Sequence, residues 1–217
     1  MKETEISPPF IQTYSPVFRL QAHLLLAWGY EQAQTTLATQ DEEEITDALY
    51  EQIQMILLLE EEAWMVNYAA KNEDPITGGK RKGKKRREID LIIEFTGRGR
   101  PQYVFEAKVL NWRKRYQRTD NYTSESGMGR FLEGEYADYT ARFPEVGMLG
   151  YVLSDSLPEW QARLKKAVDD RSEQLGLHLP QKDVAVCEHF PLEWVTVHQR
   201  NSADTPLTIY HILLDCM

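Results

Sequence analysis

Apolar positions along the chain recur at two periods, one helical and one extended. Phe18, Leu20, Leu24, Leu25 and Ala27 predict a helix over residues 17–38. Ile45, Leu49, Ile53 and Ile56 repeat every three or four residues and predict a second helix from about Asp41 to Leu59. Trp64, Val66, Tyr68 and Ala70 alternate as in a strand. Strands over 87–96 and 101–110 are joined by the turn-rich TGRGRP. Residues 119–135 read as a helix in spite of Gly127 and Gly129, and VGMLGYVL (146–153) as a buried strand. Ser156 and Glu159 form a capping box, Pro158 falls in the first turn, and Gly176 suits the C′ position of the same helix. Short strands near 184–188, 192–198 and 206–214 complete the chain, while Pro8, Pro9 and Pro16 mark residues 1–16 as an irregular lead-in. This order predicts one α/β domain, a mixed central sheet flanked by helices.

The central hairpin carries the candidate chemistry. Side chains alternate across a strand, so Ile89, Leu91, Ile93 and Phe95 share one face with the partner's Tyr103, Phe105, Ala107 and Val109. The other face mixes Glu88, Asp90, Ile92 and Glu94 with Val104, Glu106, Lys108 and Leu110. A turn centred on residue 98 sets Asp90 opposite Glu106, and one centred on residue 99 sets it opposite Lys108. In both registers the three polar groups lie within about 5–8 Å of one another at Cβ. Two readings are open. The face is an ordinary solvated one with Asp90 paired to Lys108, or two crowded carboxylates hold a hard divalent cation, Mg²⁺ or Mn²⁺, beside a lysine. Ile92, Val104 and Leu110 on the same face imply partial burial, where unpaired acids are costly.

Composition then narrows the classes. The chain has 217 residues, 42% apolar and 27% charged, as for a globular domain. Its longest apolar runs, such as Ile56 to Leu59, fall far short of a membrane span, and its acidic N-terminus lacks a signal-peptide core. Two cysteines make no disulfide framework. A cytoplasmic, membrane-free location is therefore expected. The net charge of −9 hides a segment from Lys80 to Arg118 with 14 basic residues and only four acids. Such a segment is a solvated loop or an electrostatic footprint for a phosphate backbone.

The stretch EID…FEAK resembles the PD-(D/E)xK superfamily of the restriction-endonuclease-like fold. Asp90 matches its first acid, and Glu106 and Lys108 match acid-x-Lys; Ile89 stands where the family name has proline. The strict motif spans fewer than 20 residues, and the order helix, three-strand meander, helix, strand agrees with it. The resemblance implies an Mg²⁺- or Mn²⁺-dependent nuclease acting on DNA, or on RNA, over residues 39–217, with 1–38 as an N-terminal extension containing a helix. Asp90, Glu106 and Lys108 would be catalytic, the two acids also holding the metal, and the first core helix often adds one more acid. On that helix Glu42 falls in the roughly 80° arc of the apolar stripe, whereas Glu43 and Glu44 fall outside it and serve as fallbacks. Glu42 near a helix N-terminus is equally a favourable dipole partner.

In GMGRFLEGEY, Gly127 and Gly129 would let backbone approach a partner, and Arg130 would project toward the site and grip a phosphate, or be a surface arginine on a packed helix. The stretch resembles Gly-Met-x-Arg-Phe segments of uncharacterised prokaryotic members of that fold, some of them linked to phage defence. Backbone steering falls to Lys80, Arg81, Lys82, Lys84, Lys85, Arg86, Arg87, Arg113, Lys114 and Arg115, with Arg118 closing the run. Homodimerisation or a defence-complex partner protein is the further expectation. The alternative is a non-catalytic nucleic-acid- or protein-binding subunit of a defence complex that retains the fold. Cys187, His189 and His198 lack zinc-site spacing, and neither a nucleophile elbow nor a phosphate-binding Gly-Lys loop is present.

Overall fold

The computed structural model describes residues 16–75, 88–97, 99–114, 118–132, 144–200 and 205–217. Helix α1 (Pro16–Ala33) leads through a 3₁₀ turn into α2 (Glu42–Leu59), followed by β1 (Tyr68–Pro75), β2 (Glu88–Phe95) and β3 (Gln102–Leu110). Two short helices, α3 (Thr119–Thr123) and α4 (Gly129–Leu132), precede β4 (Glu145–Val152). Helix α5 (Leu157–Asp170) and strands β5 (Leu177–Val184), β6 (Glu193–His198) and β7 (Leu207–Asp215) complete the fold. The strands form one seven-stranded mixed sheet in the order β1-β2-β3-β4-β7-β6-β5. β4 is parallel to both its neighbours, β3 and β7, and every other pair is antiparallel.

Strand alternation builds two cores. Leu91, Ile93, Tyr103, Phe105 and Val109 pack with Phe18 and Leu25 of α1 and Ile45, Leu49 and Ile53 of α2. The intervening Ile92, Val104 and Leu110 meet Met128, Phe131, Trp160 and Trp194 on the opposite side. The helix of the N-terminal segment is thus built into the same core as α2. Among the described residues no helix is long and apolar enough to cross a membrane.

Several predicted boundaries shift, each for a local reason. The first helix stops at Ala33 and tightens into a 3₁₀ turn, where Thr36 Oγ1 turns back to Ala33 O at 2.9 Å. Trp64–Asn67 is not strand: Trp64 stacks on Trp28, residues 65–67 form a 3₁₀ turn, and β1 begins at Tyr68. The helix expected over 119–135 is broken between α3 and α4, and its residues 133–135 lie outside the described ones. Gly127 is the cause, because a Cβ there would stand 2.1 Å from Tyr122 O. The close approach that glycine permits is therefore to this chain's own backbone. Gly176 is not the C′ residue, since α5 ends at an Arg171 cap; with φ 61° it sits at the entry to β5, its carbonyl accepting from Gln199 N at 2.8 Å. The strand expected at 184–188 lies earlier, at 177–184. It is a largely exposed edge strand with register shifts and Pro180, so it carries no alternation to read.

The second core buries a one-way hydrogen-bond chain. Leu175 O can only accept, so His198 Nδ1 donates to it at 2.8 Å. His198 Nε2 then accepts from Thr196 Oγ1 at 2.7 Å, and Thr196 accepts from His211 Nε2 at 2.8 Å. Tyr122, 2.9 Å from His211 Nδ1 and 3.3 Å from Met148 O, gives its proton to the nearer acceptor. Both imidazoles are neutral in this arrangement. Burial pushes His198 down to about 4 and His211 well below the usual histidine range. The unfolded chain protonates both as pH falls through about 6.5, while the folded chain does not, so stability falls with pH in that window. For His198 alone the loss by pH 4 is about 3 kcal/mol. Urea midpoints are expected to fall steadily from pH 7 to pH 4.5, and His198→Asn to flatten that slope; an unchanged slope would refute the neutral chain.

Candidate active site

The candidate site lies where the sheet forks. The β2–β3 ladder ends at Leu91↔Phe105, and from Phe105 to Leu110 β3 pairs instead with β4. That register is the one of a turn centred on residue 98, and one step beyond the last pair it brings Asp90 beside Glu106. Past the fork, the N–H groups of Ala107 and Val109 face the side that β2 has left, and buried backbone donors require partners. Carboxylates supply them: Asp90 Oδ2 accepts from Ala107 N at 2.7 Å and Glu42 Oε2 from Val109 N at 3.0 Å.

Glu42 reaches the fork from the first turn of α2. The start of that helix is set by a capping box in which Asp41 and Glu44 accept each other's backbone N–H groups. Glu44 is thereby occupied at the cap, Glu43 is exposed, and Glu42 alone of the three points at β3. One turn on, Thr46 donates to Glu42 O at 2.8 Å and stands 3.0 Å from Tyr151 OH, pinning this turn against β4. Thr46 and Tyr151 escaped the reading of the sequence, although Thr46 sits four residues from Glu42 on one helix face.

Lys108 is nearly buried and donates to Glu42 Oε1 and Glu106 Oε1, each at 2.8 Å, and to Ala107 O. Glu106 is fully buried, and Arg130 Nη1 stands 2.6 Å from its Oε1 and 2.8 Å from its Oε2. The same nitrogen is 3.9 Å from Asp90 Oδ1. Three acids and two cations from α2, β2, β3 and α4 thus form one network.

Burial pushes the Glu106 carboxyl up to about 8, and repulsion from Asp90 adds to this while Lys108 and Arg130 oppose it. Burial also raises Asp90, against Lys108, the Ala107 N–H and Arg130. Burial would lower Lys108, but Glu106, Asp90 and Glu42 outweigh it and hold the ammonium above its usual range. Lys108 is therefore a firm cation at neutral pH. It can orient an oxygen or offset negative charge.

Of the expected nucleic-acid contacts, Lys80, Arg81, Lys82, Lys84, Lys85, Arg86, Arg87 and Arg115 lie outside the described residues. Arg113 and Lys114 are exposed in the turn after β3. Next to them, half-exposed Trp112 carries the guanidinium carbons of Arg118 and Arg163 at 4.7 and 4.5 Å from its ring centre. Arg163 was not anticipated, because only the fold brings α5 to the end of β3. Arg130 turns inward to carboxylates rather than outward.

Around the fork every donor is a hard oxygen: two neighbouring carboxylates, Glu42 and the Ala107 carbonyl, a set whose chemistry suits Mg²⁺ or Mn²⁺. Among the described residues no three acid, imidazole or thiol groups are gathered to hold a metal ion. Lys108 lies between Glu42 and Glu106, and Arg130 spans Glu106 and Asp90. Of the residues set aside as zinc ligands, His189 pairs with Glu31 and His198 with Leu175 O. No protein-family model, curated protein or solved structure matches this chain, so geometry alone argues for what the fork does.

Proposed function

We propose that this chain is a metal-dependent phosphodiesterase of the restriction-endonuclease-like type, acting on DNA. The observation that carries the reading is the convergence of Glu42, Asp90, Glu106 and Lys108 on one fork, two carboxylates and an ammonium being the parts that phosphodiester hydrolysis needs. The sequence of elements from α2 through β1, β2 and β3 to α3, α4 and β4 supports it.

Asp90 and Glu106 would hold the cation, with Glu42 beside them. When bound, the cation supplies Lewis-acid polarisation of the scissile phosphate. Lys108 contributes its fixed positive charge, placing its ammonium to hold a water or a phosphate oxygen and to offset charge that develops in the transition state. Its three acceptors, Glu42, Glu106 and the Ala107 carbonyl, hold Nζ in place before substrate arrives. Arg113, Lys114 and the Arg118–Trp112–Arg163 stack lie along the continuation of β3 and suit the nucleic-acid backbone.

Asp90→Asn tests the reading. Asparagine keeps an oxygen for the Ala107 N–H, so the fold is expected to stand while the charge is lost. Mn²⁺ binding by calorimetry and Mg²⁺-dependent cutting of plasmid DNA are both expected to fall by at least about a hundredfold. Equal binding and cutting by both proteins would overturn the assignment.

One observation favours a second reading: Glu106 is already paired on both oxygens, as in an ion network that only stabilises a fold. A non-catalytic nucleic-acid-binding subunit would take up no Mn²⁺ and would bind DNA with steep salt dependence alone.

A further inference from the structure

We propose that Arg130 is an exchangeable latch on Glu106: a divalent cation and the Arg130 guanidinium compete for the same carboxylate oxygens, and a phosphate of the bound nucleic acid releases the arginine. The inference rests on the phosphodiesterase reading and adds to it a coupling between metal and substrate.

The geometry separates the two cations that hold Glu106. Lys108 keeps only 5% of its side chain exposed and is tied by three acceptors, Glu42, Glu106 and the Ala107 carbonyl. Arg130 keeps 22% of its side chain exposed while its Nη1 stays on the buried carboxylate. It contacts both Glu106 oxygens through Nη1 and lies 3.9 Å from Asp90 Oδ1, spanning the two acids that would be the cation's ligands. A cation on those oxygens and the guanidinium in its present position exclude each other by charge and by volume.

The helix carrying Arg130 suits this role. Phe131 and Leu132 are buried and anchor α4 in the second core, while Met128 N and Gly129 N are held by Tyr122 O and Ser124 O, each at 2.9 Å. The backbone under Arg130 is therefore fixed, and exchange falls to the long side chain. An incoming phosphodiester offers the guanidinium an anion with two-oxygen geometry equivalent to the carboxylate it leaves. Cation and phosphate then favour each other's binding, and linkage makes the effect reciprocal.

The test is a Mn²⁺ titration by calorimetry of wild type, Arg130→Gln and Arg130→Lys, each with and without a phosphorothioate DNA oligonucleotide. Wild type is expected to bind Mn²⁺ weakly alone and about tenfold more tightly with DNA. Arg130→Gln is expected to bind Mn²⁺ about tenfold more tightly than wild type in the absence of DNA, and to lose the enhancement by DNA. Arg130→Lys, which keeps the charge but not the planar fork, is expected to bind Mn²⁺ alone as weakly as wild type and to retain only part of the enhancement. If Arg130→Gln binds Mn²⁺ no better than wild type while both bind it, the latch is wrong and the phosphodiesterase reading stands. If no protein binds Mn²⁺ with or without DNA, both fall together. Loss of Mn²⁺ binding in Arg130→Gln with an unchanged circular dichroism spectrum would also overturn the latch, since it would make Arg130 a support of the site and not a competitor.

Discussion

Replacing Lys108 with methionine is expected to cut nuclease activity by about 10³-fold and to cost about 3 kcal/mol of stability at pH 9. Methionine keeps most of the stem and so isolates the ammonium. Without it, buried Glu106 retains Arg130 alone, and Glu42 loses its partner at 2.8 Å. Removing one partner of a buried ion pair is costly because the other is left in a poor dielectric. Glu106 has an escape, since burial already holds its carboxyl at about 8. Loss of a neighbouring cation moves it further up, so the stability cost of Lys108→Met is expected to be smaller at pH 6 than at pH 9. The sign follows from linkage: an acid whose folded value is raised loses stability as pH climbs from its unfolded value through the folded one. Adding Glu106→Gln should restore the stability of Lys108→Met without restoring cleavage. Urea denaturation at pH 6 and pH 9 checks the first claim, and plasmid cutting the second. A penalty independent of pH would show that Glu106 does not carry the effect.

Glu193→Ala is expected to destabilise the fold by roughly 3–5 kcal/mol. Its carboxylate is wholly buried between α1 and the sheet. One oxygen meets His23 Nδ1 at 2.8 Å, and the other accepts from Val186 N at 2.8 Å and Cys187 N at 3.1 Å. His23 in turn reaches Tyr103 OH at 3.1 Å. Truncation strands two backbone donors and an imidazole that burial already drives below its usual range. Glu31→Ala is the control: it breaks a contact of similar length, 2.7 Å to His189, but an exposed one, and should cost less than about 1 kcal/mol. The difference in urea midpoints reads the comparison directly. Equal losses would mean that burial does not set the value of these pairs.

Much of the candidate site could be read from the residues. Period two placed Asp90, Glu106 and Lys108 on one face, because the pleat leaves no other option once the strands are recognised. The helical arc singled out Glu42, and capping chemistry explains why Glu44 was diverted. What misled was local. Val66 looked like part of an alternating strand yet is 57% exposed in a 3₁₀ turn. Gly127 looked tolerable within a helix but serves the tight turn that breaks it, with Gly129 opening α4. Edge strand β5 has no buried side to betray it.

The sequence by itself determined which residues can share a face, where α2 starts and which of its acids looks inward, because these follow from backbone periods and from hydrogen bonds between neighbours. Only the tertiary structure decided that β3 leaves β2 for β4 after Phe105, that Arg130 turns onto Glu106, and that Arg163 joins Trp112. Those pairings join residues far apart along the chain, and they are selected by the packing of two cores and by backbone donors that must find acceptors, which no local pattern encodes.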